Sequence, residues 1–223
     1  MLMNRFGFSI IVLTTAAFAS ADTFLYQGMA PNHGTAKIHL SGSVGSYDGN
    51  VYIGENKFTY GSEPQTYGYC VDILHAAGNG QAFKSDTGSL NGGATIGYLL
   101  QKYAPTFHDN VDKKGSAALQ LAIWDILYEA PTGNIQATTA YSINLNAGNF
   151  KADTIKVDGS TFDPSTYFAM FNADLGGSAI TTRYEGHTGT SMQSFASAAP
   201  VPEPATLAAL AVGAVGLLRR RKR

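Results

Sequence analysis

Between Ala117 and Tyr128 the chain reads AALQLAIWDILY, a run in which nearly every side chain is apolar. At about three turns of helix it gains stability mainly by being buried, so the rest of the chain has to cover it. Asp109 or Asn110 can cap this helix, which runs to about Glu129 and ends before Pro131. Gln120 sits inside the run. At 100° per residue, Ile123 and Leu127 fall within roughly 60° of it on one side and Trp124 roughly 40° away on the other. Asp125, Glu129 and Lys114 are expected on the opposite, solvent face. Gln120 therefore points into the core, where an unpaired amide costs about 1–3 kcal/mol, and it needs a partner. A loop or strand backbone is the common one.

The flanking sequence reads as strands. In TAKIHLSGSVGSYDGNVYIGENKFTYG the apolar positions alternate: Ala36, Ile38 and Leu40, then Val51 and Ile53, then Phe58 and Tyr60. Asp48-Gly49-Asn50 supplies a hairpin-type turn. QTYGYCVDIL predicts a further strand with Tyr67, Tyr69, Val71 and Ile73 on one face and Cys70, Asp72 and Leu74 on the other. GATIGYLLQKYAP predicts a short helix stopped by Pro105. After the central helix, SINLNAG, TIKVDG, AITTRYEG and SMQSFAS return to strands. DPSTYFAMFNADLGG predicts a helix with Asp163 as N-cap, Pro164 at its first position and Gly176 past its end. The expected fold class is α+β, a β-rich sandwich- or barrel-like domain with a helical insertion, over residues 22–195.

The two ends read as addresses. Arg5, an apolar stretch from Phe6 to Phe18 and Ala19-Ser20-Ala21 form a secretory signal peptide over residues 1–21, cleaved before Asp22. At the other end a small-residue and proline linker, 196–204, contains Pro202-Glu203-Pro204. Residues 205–218 are uncharged and apolar, and Arg219 to Arg223 are all basic. A helix of residues 205–218 would be about 21 Å long, short of the roughly 30 Å hydrocarbon core. With its basic flank it is expected as a short transmembrane helix, the C-terminal tail on the cytoplasmic side. The order Pro-Glu-Pro, apolar span, arginine cluster resembles the PEP-CTERM sorting signal of Gram-negative bacteria. That resemblance implies signal peptidase and an exosortase, a membrane cysteine transpeptidase, as processing partners. It also implies transient anchoring in the inner membrane, then release to the cell surface or an exopolysaccharide-rich matrix.

The whole-chain charge of −1 conceals an acidic body. Setting aside Arg5 and the basic tail leaves 9 Lys and Arg, and setting aside Glu203 leaves 15 Asp and Glu, so the body carries about −6. This argues against nucleic acid as a partner. Cys70 is the only cysteine, so no intramolecular disulfide can form. In an exported chain a lone cysteine is an inert buried thiol, half of an intermolecular disulfide, or a modified residue.

Tyr69-Cys70-Val71-Asp72 and Leu119-Gln120-Leu121-Ala122-Ile123-Trp124 resemble the two signature blocks of bacterial surface thioester domains. In that family an aromatic-Cys block is followed by a Gln-x-Ala block on a helix, often with a tryptophan. Leu119 departs from the threonine common before the glutamine, and the familiar members belong to Gram-positive adhesins. The resemblance implies that Cys70 and Gln120 form an intramolecular thioester. The thiolate attacks the side-chain carbonyl and ammonia leaves, which requires near-attack contact and donors for the oxyanion. Tyr69 and Trp124 would shield the bond, and Asp72 and His75 lie near enough in sequence to move protons. An incoming amine would then displace Cys70 and leave an isopeptide through Gln120: a single covalent capture, not enzymatic turnover.

Other chemistry finds little support. His33, His39, His75, His108 and His187 show no metal-ligand spacing, and neither metal nor cofactor is expected. There is no Gly-x-Ser-x-Gly elbow, phosphate-binding loop or EF-hand pattern, and no local signature for a Cys–His hydrolase. Two readings stand: an exported surface protein that attaches covalently to an amine-bearing surface protein, or a non-catalytic structural or polysaccharide-associated matrix protein in which Cys70 and Gln120 are core residues.

Overall fold

A computed structural model describes residues 22–131, 135, 141–186 and 192–198. The chain opens with two long strands, β1 (Thr23–Leu40) and β2 (Tyr47–Tyr60), paired antiparallel along their length. Two register shifts, between Tyr26 and Gly28 and between Met29 and His33, bend the ribbon. Gly54 sits opposite the second bend at φ 127°, where a Cβ would meet the Asn32 carbonyl at 2.5 Å, so the bend demands glycine there.

The bend lets β1 serve two neighbours. Its start pairs with β4 (Gly80–Asp86) and its second half with β5 (Phe150–Val157), which carries the two-residue β6 (Ser160–Thr161). β3 (Thr66–Cys70), β7 (Thr182–Gly186) and β8 (Phe195–Ser197) complete the sheet in the order β2-β3-β8-β7-β4-β1-β5-β6. Because β2 also pairs with β1, the first six strands in that order close into a ring, leaving β5 and β6 as an extension. Phe24, Phe58 and Phe195 stack inside it with centroids 5.5 Å apart.

Among the described residues three α-helices and a 3-10 turn at Thr87–Ser89 are inserted: α1 (Gly93–Asp109), α2 (Lys113–Glu129) and α3 (Ser165–Ala173). The apolar run falls on α2, which packs on β1, β2 and β5 and is flanked by α1 and α3. Every residue from Gly115 to Ile126 is buried. The described residues thus form an α+β, sheet-rich domain with helical insertions.

Several local expectations are corrected. Asp48-Gly49-Asn50 lies inside β2, and the β1–β2 turn is made at Ser41–Ser46, where Gly42 and Gly45 take positive φ. Pro105 does not stop α1. It sits inside the helix, which continues to Asp109 although proline removes the hydrogen bond to the carbonyl four residues back. Asp112, not Asp109 or Asn110, caps α2, its carboxylate accepting the Gly115 N–H at 2.9 Å. Pro164 itself takes the N-cap position of α3, while Asp163 accepts the Ser165 N–H. SINLNAG is irregular, its side-chain amides and nearby carboxylates taking backbone bonds that a strand partner would take. β8 runs to Ser197, within the segment expected as linker.

The membrane expectation is also corrected. Among the described residues no helix is long and apolar enough to cross a membrane. Residues 205–218 lie outside the described residues, as does the signal peptide at 1–21. Among the described residues the fold is therefore an α+β domain without a transmembrane helix, and the transient inner-membrane anchoring is withdrawn.

Candidate functional site

β3 and α2 meet along one line. Ser116, Gln120 and Trp124, at successive i, i+4 positions, share a helix face. The Tyr69 hydroxyl donates to Ser116 Oγ at 3.3 Å, and the next residue, Cys70, meets Gln120. The sulfur beyond it has Trp124 as a neighbour in the same cleft.

The geometry at Cys70 follows from where the sheet stops. The last β2–β3 pair is Asn56 with Gly68. Val71 turns its N–H to the carbonyl of Ser194, just before β8, at 2.9 Å, so Cys70 presents its own N–H and C=O to the opposite side. No strand pairs with it there. Gln120 Oε1 accepts the Cys70 N–H at 2.9 Å, and Gln120 Nε2 donates to the Cys70 carbonyl at 2.9 Å. The carboxamide thus stands in for one residue of a neighbouring strand. Gln120 is 1% exposed and Cys70 3%, so both bonds are dry.

β3 ends at Cys70 instead of continuing to Leu74, because the chain turns about Asp72. The Asp72 N–H donates to Cys70 Sγ at 3.3 Å, and the thiol donates to the Asp72 carbonyl at 3.0 Å. That carbonyl also accepts from Gln193 Nε2 at 3.0 Å. The Asp72 carboxylate takes the Leu74 N–H on Oδ1 at 3.1 Å and His75 Nδ1 on Oδ2 at 2.6 Å. Asp72 is therefore a hub linking the sulfur, the turn and a histidine.

Burial pushes the Cys70 thiol well above its ordinary range, and the Asp72 carboxylate adds to the shift. Hydrogen bonding with the Asp72 backbone opposes it, as does the nearby Trp124 indole N–H, which makes no hydrogen bond of ordinary geometry. Tyr128, whose hydroxyl accepts the Ile73 N–H at 3.2 Å, is raised for the same first reason, desolvation. The site holds its sulfur as a thiol at neutral pH and offers no strong cation.

A cleft of about 410 Å³ opens over this arrangement. Cys70 and Trp124 form part of its lining with Tyr26, Tyr47, Tyr52 and His75. A larger cavity of about 560 Å³ lies between β5 and α3, and its only carboxylate is Asp163. Among the described residues no group of three or more His, Cys, Asp or Glu side chains could hold a metal ion.

Of the residues singled out in the sequence, Tyr69, Cys70, Asp72, Gln120 and Trp124 are brought together. Pro202, Glu203 and Pro204 lie outside the described residues. Asp125 is a correction. It is not on a solvent face but 1% exposed, held by the Tyr141 hydroxyl and by the Asn144 N–H at 3.2 Å. The segment from Tyr141 to Asn149 lies over that side of α2, which helical periodicity alone does not reveal. Ser116 went unnoticed in the sequence, although its i, i+4 spacing from Gln120 marks it.

Fold and site together define an α+β, sheet-rich domain with a buried Cys70–Gln120 contact beneath an aromatic cleft. Comparison with known families adds that residues 200–223 match the PEP-CTERM protein-sorting motif. No curated protein and no solved structure matches the chain.

Proposed function

We propose that this chain is an exported cell-surface or extracellular-matrix protein, delivered through its PEP-CTERM motif with signal peptidase and exosortase as processing partners, whose Cys70 and Gln120 form an internal thioester for covalent attachment to an amine-bearing partner. The observation that carries the reading is the direct, dry contact between the chain's only cysteine and the Gln120 carboxamide, across 50 residues of sequence. Oε1 already accepts the Cys70 N–H, a donor suited to an oxyanion on the same atom. Closing the bond exchanges the sulfur's contacts with the Asp72 peptide for the Gln120 carbonyl carbon. The thiol proton leaves with the amide nitrogen as ammonia.

A second reading has its own support. Gln120 pairs its carboxamide with both backbone groups of Cys70, which satisfies a buried amide with no chemistry at all. In that case the protein is a structural or polysaccharide-associated matrix component.

Intact mass of the purified mature domain separates the two. The thioester reading expects a deficit of one ammonia in the wild type that is absent from both Cys70→Ala and Gln120→Ala. An unmodified wild-type mass with a titratable thiol leaves only the structural reading.

A further inference from the structure

Besides its tyrosines, the cleft over Cys70 is lined by a histidine with no part in the Cys70–Gln120 contact. His75 lines it together with Cys70 and is half-exposed. A carboxylate accepts and does not donate, so Nδ1 carries the proton in the 2.6 Å bond to Asp72 Oδ2. In the neutral ring that leaves Nε2 as a base. The same Asp72 holds the cysteine sulfur through its backbone N–H and C=O. Imidazole and sulfur are thus tied to one residue from two sides, and both line the same cleft.

Resting on the thioester reading, we infer that His75, oriented by Asp72, is the proton carrier for capture of a primary alkylamine by the Cys70–Gln120 thioester. The amine nitrogen attacks the Gln120 carbonyl carbon, and its surplus proton passes to His75 Nε2. The C–S bond then breaks with its electron pair on sulfur, and the imidazolium returns the proton to Cys70 Sγ. The products are an isopeptide at Gln120 and a free thiol; no oxidant or other reactant is needed.

Two features make such a carrier necessary here. Sulfur in this position is a poor thiolate, since burial opposes its charge, so it leaves best when protonated. An alkylamine is mostly protonated at neutral pH and must lose a proton before or during attack. The aromatic lining from Tyr26, Tyr47, Tyr52 and Trp124 suits the methylene chain and cationic head of such an amine. His75 is the group that accepts the proton, and Asp72 is a positioning residue.

The test compares two probes on the mature domain: n-butylamine, an alkylamine like the lysine side chain, and hydroxylamine, which is neutral at pH 7 and needs no base to attack. Capture is followed by intact mass. His75→Gln is expected to slow butylamine capture by on the order of 100-fold and to leave hydroxylamine within about threefold. Equal slowing of both probes, or of neither, overturns the proposal. If His75→Gln lacks the ammonia deficit, added imidazole restoring it supports the role, and failure to restore it overturns it. A wild-type domain without the deficit overturns this inference together with the thioester itself, whereas a wild type with the deficit and an indifferent His75→Gln overturns this inference alone.

Discussion

The carboxamide of Gln120 hydrogen-bonds both the N–H and the C=O of Cys70, each at 2.9 Å, and so acts as a one-residue strand on the side where β3 has lost its β2 partner. That relationship ties α2 to the sheet independently of whether a covalent bond forms. Its energetic weight can be read in a chain that cannot form one. In a Cys70→Ala background the backbone of residue 70 keeps both groups, and Gln120→Leu leaves them buried and unpaired. The expected loss of stability is about 2–4 kcal/mol, measured by urea unfolding. A loss below about 0.5 kcal/mol would show that other groups or water replace the amide.

The thiol has a matching signature. In Gln120→Ala no acyl donor remains, so Cys70 is free; in the wild-type fold it is 3% exposed, and the packing that desolvates it keeps the thiol protonated. Alkylation needs the thiolate. Iodoacetamide labelling of folded Gln120→Ala at pH 7.5 is expected to be at least about 100-fold slower than in urea-unfolded chain, corresponding to the small fraction ionised. Equally fast labelling in both states would mean that the cleft exposes the sulfur.

Burial of Asp125 predicts a pH dependence. Desolvation raises its carboxyl to about 6, with the Tyr141 hydroxyl and the Asn144 N–H pulling the other way and Glu129 adding to the rise. An acid whose folded value lies above its unfolded value of 3.8 binds more protons when folded. Stability from this group therefore falls as pH rises from about 4 to about 6, by on the order of 3 kcal/mol at most. Thermal unfolding should show the wild type gaining on Asp125→Asn as pH drops from 7 to 5. A difference between the two that does not change over that range would indicate that the carboxylate is ionised throughout.

What could be read in the sequence divides along physical lines. The α2 segment, the inward aim of Gln120, and strands β7 and β8 are legible in local sequence. Features decided by tertiary partners were not legible. Pro105 should end a helix by local rules, yet α1 continues because Tyr103 and Phe107, on either side of it, pack on Phe171 of α3. Asp125 looks like a solvent residue on the helical wheel, and only the segment from Tyr141 onward, distant in sequence, covers it. At the site the residue types at 70 and 120 could be paired from sequence. Asp72 is also legible beside Cys70, but its backbone bonds to the sulfur are not, because they arise from the turn that ends β3 and a strand continuing to Leu74 would not make them.

Gly97 is a position that helix propensity alone would fill with alanine without loss. Alanine is the better helix former by about 1 kcal/mol, and Gly97 lies in the interior of α1. Here, however, a Cβ would stand 2.0 Å from the Ala179 carbonyl oxygen and 2.8 Å from Thr87 Oγ1. The carbonyl belongs to backbone fixed on both sides. Ala179 N–H donates to the Ala94 carbonyl at 2.9 Å, and Thr181 N–H donates to Thr87 Oγ1 at 3.1 Å. Neither can retreat without breaking bonds that hold β7 beside the helix. Gly97→Ala is therefore expected to lower stability by about 2–3 kcal/mol despite its better propensity, whereas Gly78→Ala, with open space around its Cα, should change it by less than about 0.5 kcal/mol. Equal stability of the two variants in urea unfolding would mean that α1 can move away from the 179–181 backbone, and that its close approach is not fixed by the fold.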